Sequence, residues 1–236
     1  MKWRCRGEAA EWLDDDTRQV WLHPVYEPVP NYAAGQYLKV ALAGLGITYF
    51  SIATPPGRGL LELHVDTRSY KARKLMELAE FRKEIEVELP LGKCFLNGVP
   101  EHSLLLVAGG TGVSQCLALL SYLAEQDFQH EAALLWSASE DYLVSCDSAL
   151  AQLQRKMNLI VRLLPRQEGI NPNNWLEARL NEVHALHAPK QTFVSGSKLL
   201  LDEVLVHVPE EAQVFSDHFS EGRLRAPRAP PLPLIV

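Results

Sequence analysis

The chain has 236 residues, 47% of them hydrophobic, and a formal net charge of −6 at pH 7. That apolar share excludes a globally disordered chain, and the scattered Lys and Arg residues exclude the basic footprint of a nucleic-acid binder. The length fits one large or two modest domains.

Met1-Lys2-Trp3-Arg4-Cys5-Arg6 is basic, but no apolar run follows, so no secretory leader is read and the cytoplasm is the expected location. Arg18 to His23 alternates polar and apolar residues, as a half-buried strand does, until Pro24, Pro28 and Pro30 break the pattern. Gly35 to Leu42 is a second alternating strand, Gly44 and Gly46 mark a turn, and Thr48 to Ala53 is a third strand closed by Thr54-Pro55-Pro56-Gly57. Leu60 to Val65 sets Leu61, Leu63 and Val65 on one side and Glu62 and His64 on the other. Tyr70 to Phe81 is the helical interruption, striped by Leu75, Met76, Leu78 and Ala79, and Ile85 to Leu89 alternates strictly. Residues 1–98 therefore read as a small antiparallel β-barrel.

From Ser103 the rhythm becomes strand and helix in turn. Leu104 to Ala108 is a short apolar run that stops at Gly109-Gly110-Thr111-Gly112, and Val113, Cys116, Leu117 and Leu120 then recur at helical spacing. Strand, glycine turn and helix present backbone N–H groups to an anion, although the register is neither G-x-G-x-x-G nor a P-loop. The same pattern also describes a tight turn with no ligand. The uncharged stretch from Ser103 to Ala124 is long enough to span a bilayer, but its glycines, Thr111, Ser114 and Gln115 argue against that.

Strands follow at Ala132–Ser137, Leu159–Leu164 and Thr192–Gly196, and helices at Ser148–Lys156, Trp175–Leu186 and Lys198–Val208. This alternation implies a doubly wound parallel sheet over 102–221, which binds ligands at the carboxyl ends of its strands. Gly109 to Gly112, Ser137 to Ser139 and Ser195 to Ser197 share that edge. The tail, 222–236, is rich in Pro and Arg and reads as a flexible or extended end. Cys5, Cys94, Cys116 and Cys146 are far apart, so neither a C-x-x-C pair nor the cysteine run of a plant-type iron–sulfur cluster is present. Four reduced, mostly buried thiols and no iron–sulfur module are expected.

A β-barrel followed by a dinucleotide-type domain is the order of the ferredoxin-reductase superfamily, and five short motifs resemble it in sequence order. Gly35-Gln36-Tyr37 is similar to its barrel element, Tyr49 to Pro55 to its flavin-binding motif, and Glu62 to Val65 to the strand along the flavin ring. Leu105 to Gly112 resembles its nicotinamide-nucleotide turn, and Val194-Ser195-Gly196 its later glycine motif. Spacing and length look most like the bacterial NAD(P)H:flavin oxidoreductases. There are departures. The arginine usual two residues before the motif aromatic is Thr48, the proline usual after the glycine turn is missing, and the later motif's cysteine is Ser195.

The resemblance implies hydride transfer from C4 of NADH or NADPH to N5 of FAD, FMN or riboflavin, with the flavin bound weakly and treated as a substrate. It implies Ser51 as the catalytic residue, hydrogen-bonding at N5, with Tyr49, Phe50 and Ile52 beside it. Backbone groups of Leu63, His64 and Val65 would meet the pyrimidine end. His64 also reads as merely structural. Gly109, Gly110, Thr111 and Gly112 would meet the nucleotide, Ser137 its adenosine ribose, and Gly196 its nicotinamide. The acidic loop Ser137-Ala138-Ser139-Glu140-Asp141 leans toward NADH, while Arg166 would supply charge for NADPH. An acceptor protein of the reduced flavin is an implied partner. Two rivals stay open: an electron-transfer subunit that keeps its flavin, and a non-catalytic nucleotide-binding relative.

Overall fold

The computed structural model describes residues 1–26, 31–166, 172–209 and 211–219. The tail read at 222–236 lies outside the described residues, as do the last two residues, 220 and 221, of the α/β stretch.

The first module contains β1 (Lys2–Trp12), β2 (Thr17–Pro24), β3 (Tyr37–Leu42), β4 (Gly46–Ser51), β5 (Leu61–Asp66), α1 (Tyr70–Glu80) and β6 (Glu84–Leu91). All its strand pairs are antiparallel, in the order β4-β3-β6-β1-β2-β5. Among the described residues the ladder does not close between β4 and β5. Just beyond β4, however, the Ala53 N–H donates to the Glu62 carbonyl on β5 at 2.8 Å. The module is thus a curled antiparallel six-stranded sheet where the small antiparallel β-barrel was expected, with no closed ladder among the described residues. Its inner face buries Val20, Leu22, Leu38, Leu63 and Val65 against Leu75 and Ala79 of α1. Each fully buried leucine contributes about 1.5–3 kcal/mol relative to an exposed one.

β1 has no counterpart in the sequence reading. Its inward positions are small, and Cys5 and Gly7 are buried because α1 lies directly on the strand. A Cβ on Gly7 would come within 2.6 Å of Ile85 Cδ1 and 3.0 Å of Ala79 Cα. Small residues make a weak apolar signal, and the close helix is the reason they are small.

The second module contains β7 (Leu104–Gly109), a 3-10 turn (Gly110–Gly112), α2 (Val113–Glu125), β8 (Ala132–Ala138), α3 (Glu140–Ser145), α4 (Asp147–Lys156), β9 (Leu159–Pro165), α5 (Pro172–His187), β10 (Gln191–Ser195), α6 (Lys198–His207) and β11 (Gln213–Phe215). The sheet order is β11-β10-β7-β8-β9, every pair parallel. One core sets Cys116, Leu119 and Leu120 of α2 with Leu150 and Leu153 of α4 against one face. The other sets Leu176, Leu180, Leu201 and Val204 of α5 and α6 against the opposite face. This is the doubly wound arrangement expected; α3 and β11 are additional. No described helix is long and apolar enough to cross a membrane.

Several polar contacts tie the modules together, two of them beside α3. His64 on β5 is buried, with Nδ1 2.6 Å from the Tyr142 hydroxyl of α3 and Nε2 2.9 Å from Glu62 Oε1. The Ser139 hydroxyl, before α3, donates to Asp14 in the turn after β1. Asp14 also accepts from the backbone N–H of Asp16 at 2.9 Å and of Thr17 at 2.6 Å. Tyr142→Phe keeps the ring, which packs edge-on against Trp136 at 5.0 Å, but leaves His64 Nδ1 buried without this partner. An unsatisfied buried polar atom costs about 1–3 kcal/mol. The variant is expected to lose that much stability in urea titration, and an unchanged midpoint would show that the row contributes nothing.

Candidate active site between the two modules

The carboxyl ends of β7, β8, β9 and β10 face the β4 and β5 side of the first module across a cleft of about 1070 Å³. Gly109 to Gly112, Ser137, Arg166 and Gly196 line the second-module side. Tyr49, Phe50, Ser51, His64 and Tyr37 line the other. These groups come from distant parts of the chain, and the fold brings them to one space.

The glycine turn is built by steric necessity. Gly110 has φ +53°, a left-handed conformation, and the Trp136 indole N–H pins its carbonyl at 3.0 Å. Gly112 has an ordinary φ of −58°, but a Cβ there would lie 2.2 Å from the Ser195 carbonyl oxygen. Gly196 has φ +148°, and its Cβ would meet the Gly109 nitrogen at 3.1 Å. Loss of side chains lets the turn and β10 touch. Neither the turn nor α2 has a side-chain cap, whereas α1 is capped by Ser69 and α6 by Ser197. The first N–H groups of α2 are therefore free of side-chain partners where an anion would be held.

Charge at the turn comes from Arg166. Its Nη2 would lie 3.4 Å from a Cβ on Gly110, and its side chain makes no hydrogen bond or ion pair with another described residue. Arg68, the other arginine of the cleft, is held by Asp66, with Nε 2.9 Å and 3.0 Å from the two carboxylate oxygens. That contact, with Arg166 adding to it at longer range, holds the Asp66 carboxyl below its usual value.

Across the cleft, Ser51 ends β4 opposite Tyr37 of β3. Tyr49 is 60% exposed, and its ring meets Tyr37 edge-on at 5.8 Å. Strand alternation puts Glu62, His64 and Asp66 on the outer side of β5 and Leu61, Leu63 and Val65 in the core. Leu63, Val65 and Ile52 are accordingly fully buried behind the wall, and their side chains do not reach the cleft. Thr48 does not line it either. His64 reaches it while bonded on both ring nitrogens, a structural tie between modules.

The structure also brings in residues that the motifs did not indicate. After β11 the chain returns to the first module, where Asp217 is wedged beside Gly92 and Tyr37. Its surface is open to the cleft, but protein crowds the carboxyl on its other sides. Burial pushes that carboxyl up to about 6, against the pull of the Gln115 amide and the Cys94 and Lys93 backbone N–H groups. The His218 ring lies beside it, with Nε2 2.8 Å from the Gly196 carbonyl oxygen. Gln115 is a polar residue in a buried apolar helix, and such a residue needs partners. That need was the available signal. The four cysteines are buried and unpaired, and burial pushes the Cys5 and Cys116 thiols up to about 12 and Cys146 to about 11. Among the described residues no group of three or more His, Cys, Asp or Glu could hold a metal.

No family model matches the chain. It is 33% identical over 164 residues to an NAD(P)H-flavin reductase of Vibrio harveyi, covering 66% of this chain and 68% of that one. It is 27% identical over 208 residues to an NAD(P)H-flavin reductase of Aliivibrio fischeri, covering 83% and 87%. Among solved structures, the flavohem-like FAD/NAD-binding domain of nitric oxide dioxygenase from Vibrio cholerae superposes with a TM-score of 0.69 at 15% identity, over 87% of this chain and 91% of that one. That likeness gives the two-module fold of FAD/NAD-binding domains. The extent and identity of the match to the Vibrio harveyi enzyme place the chain in the NAD(P)H-flavin reductase family.

Proposed function

We propose that the chain catalyses NAD(P)H-dependent reduction of a free flavin at this cleft. The observation that carries the reading is the uncapped, glycine-built N-terminus of α2, with Arg166 beside it, facing Ser51 and Tyr49 across one cleft. The first suits a dinucleotide's phosphates and the second a flat, hydrogen-bonding ring. When both are bound, a hydride passes from nicotinamide C4 to flavin N5, and one proton is taken up to complete the reduced flavin.

The chain's own residues do the rest. The first N–H groups of α2 and the Arg166 guanidinium bind the diphosphate. Gly196, lacking a side chain, lets the nicotinamide lie close to β10. Ser51 holds a hydrogen bond at the flavin edge, and Tyr49 shields the ring from water. Asp217, whose carboxyl its crowding pushes up to about 6, lines the same cleft and would hold the proton that the reduced flavin takes up.

The charge of the cleft supports recognition of the ring rather than of a flavin phosphate. Among the described residues, Asp14, Asp16, Asp66, Glu203 and Asp217 line it against Arg68 and Arg166. Arg68 is occupied by Asp66, and Arg166 stands at the glycine turn. Among the described residues no lysine or further arginine lines the Ser51 end, and Thr48 stands where the family's arginine usually does. Riboflavin, FMN and FAD should have KM values within a few-fold of one another. Glu140 and Asp141, exposed at the start of α3, favour NADH over NADPH at the ribose end.

NADH oxidation followed with each flavin added in turn tests the function. Turnover that requires added flavin is the expected result. No turnover with any flavin would overturn it and favour the nucleotide-binding relative. A flavin that stays bound through gel filtration would favour an electron-transfer subunit serving an acceptor protein. Arg166→Ala should raise KM about tenfold for NADH and NADPH alike, about 1.4 kcal/mol of binding. A rise confined to NADPH would move Arg166 to the ribose 2′-phosphate.

A further inference from the structure

Gln115 lies in the first turn of α2 and is 1% exposed. Its Nε2 donates to the Gly35 carbonyl at 2.6 Å, the Cys94 carbonyl at 3.1 Å and Asp217 Oδ2 at 3.1 Å. An amide has two N–H bonds, so one of them is shared between acceptors. The three acceptors come from the loop before β3, the segment after β6 and the segment after β11. One side chain thus joins the first module, the glycine-turn helix and the returning strand end.

The acceptors are themselves fixed. Gly35 has φ +101°, and a Cβ there would lie 2.7 Å from the Cys94 carbonyl oxygen. Gly92, φ +90°, leaves room for the Tyr37 ring, and its Cβ would meet Asp217 Oδ1 at 3.1 Å. Asp217 is therefore seated by a glycine on one oxygen and by the Gln115 amide on the other. We infer that Gln115 is a positioning residue for the reaction: its amide fixes the Asp217 carboxyl at the junction of the modules, and turnover through Asp217 depends on it. This rests on the reading of Asp217 as the proton-holding group.

The groups that face Asp217 are Tyr37 from β3, Cys94 and the Lys93 backbone from the segment after β6, Gln115 from α2, and His218 on its own segment. Of these, the Gln115 side chain is the one side chain that hydrogen-bonds the carboxylate among the described residues. A donor to a carboxylate stabilises its charged form, so removing the amide makes Asp217 hold its proton to higher pH. If protonated Asp217 serves turnover, kcat falls as pH rises through about 6 in the native protein. In Gln115→Met that fall moves upward.

The test measures kcat and KM for NADH with riboflavin across pH, using the full chain. Gln115→Met should lower the low-pH plateau of kcat about tenfold, leave KM for NADH within about twofold, and move the fall in kcat up by about one pH unit. Asp217→Asn should lower kcat similarly and abolish that limb. The double variant should be no slower than Asp217→Asn. An additive double variant or an unmoved limb would overturn the inference. If Gln115→Met does not fold, Gln115→Asn keeps the amide but withdraws it by one methylene, and the same outcomes apply. Carbon-13 carboxyl titration of Asp217 in both proteins is independent of turnover. If the native chain reduces no flavin but its Asp217 titration shifts in Gln115→Met, the proposed function fails and the Gln115–Asp217 coupling stands. An unshifted titration overturns the coupling itself.

Discussion

Gly112→Ala is expected to lower stability by about 3 kcal/mol or more and to raise KM for NADH by at least an order of magnitude. The backbone angle is not the obstacle, since φ −58° suits alanine. The obstacle is space: the added methyl would lie 2.2 Å from the Ser195 carbonyl oxygen, 2.6 Å from its carbon and 3.0 Å from the Gly196 nitrogen. All three are backbone atoms of a strand end paired to β7, where Ser195 stands opposite Ala108. No rotamer change relieves such a contact, so the turn and β10 must part, and overpacking of a fixed site typically costs about 1–3 kcal/mol before any hydrogen bond is lost. The same parting displaces the first N–H groups of α2 and the close approach at Gly196. Urea titration and NADH kinetics on one preparation check both halves. A variant with native stability and native KM would show that the turn is not a nucleotide cradle.

Ser51→Ala is expected to reduce kcat with riboflavin about 30-fold, about 2 kcal/mol of transition-state stabilisation, with KM for NADH little changed. Ser51 sits at the end of β4, partly exposed to the cleft. Removing its hydroxyl leaves no buried donor unpaired, so stability should shift by less than about 0.5 kcal/mol. The loss should therefore fall on kcat and leave nucleotide binding intact. A variant that turns over at the native rate would remove Ser51 from the chemistry and leave Tyr49 and the β5 edge as the flavin contacts.

The residues that the sequence disclosed and those that it hid differ in a physical way. The glycine turn, the Tyr49–Ser51 strand and the strand-end glycine at 196 are local signals, each contained in a few consecutive residues. The structure sets all three on one cleft. β1 escaped because its inner residues are small where α1 approaches, and β11 because three residues carry too little pattern to show pairing with β10. Leu63 and Val65 share β5 with His64, which does line the cleft, yet the two-residue period turns them into the core, and Ile52, just past β4, is buried with them. Asp217 and Gln115 were hidden for a different reason. Their contact joins positions 102 residues apart, and no short window contains it. Arg166 was visible as a charge, but only the fold shows that from beside the end of β8 its guanidinium reaches the glycine turn.

The buried row from Glu62 through His64 to Tyr142 has a consequence for affinity. Because His64 and Tyr142 are buried side chains that bond across the modules, the two cleft walls hold their separation without a ligand to brace them. Ordering the walls is then completed during folding, and each arriving molecule loses chiefly its own freedom of motion. A preorganised cleft lets an arriving molecule find its geometry quickly and leave again without the walls rearranging, which suits rapid exchange between successive molecules.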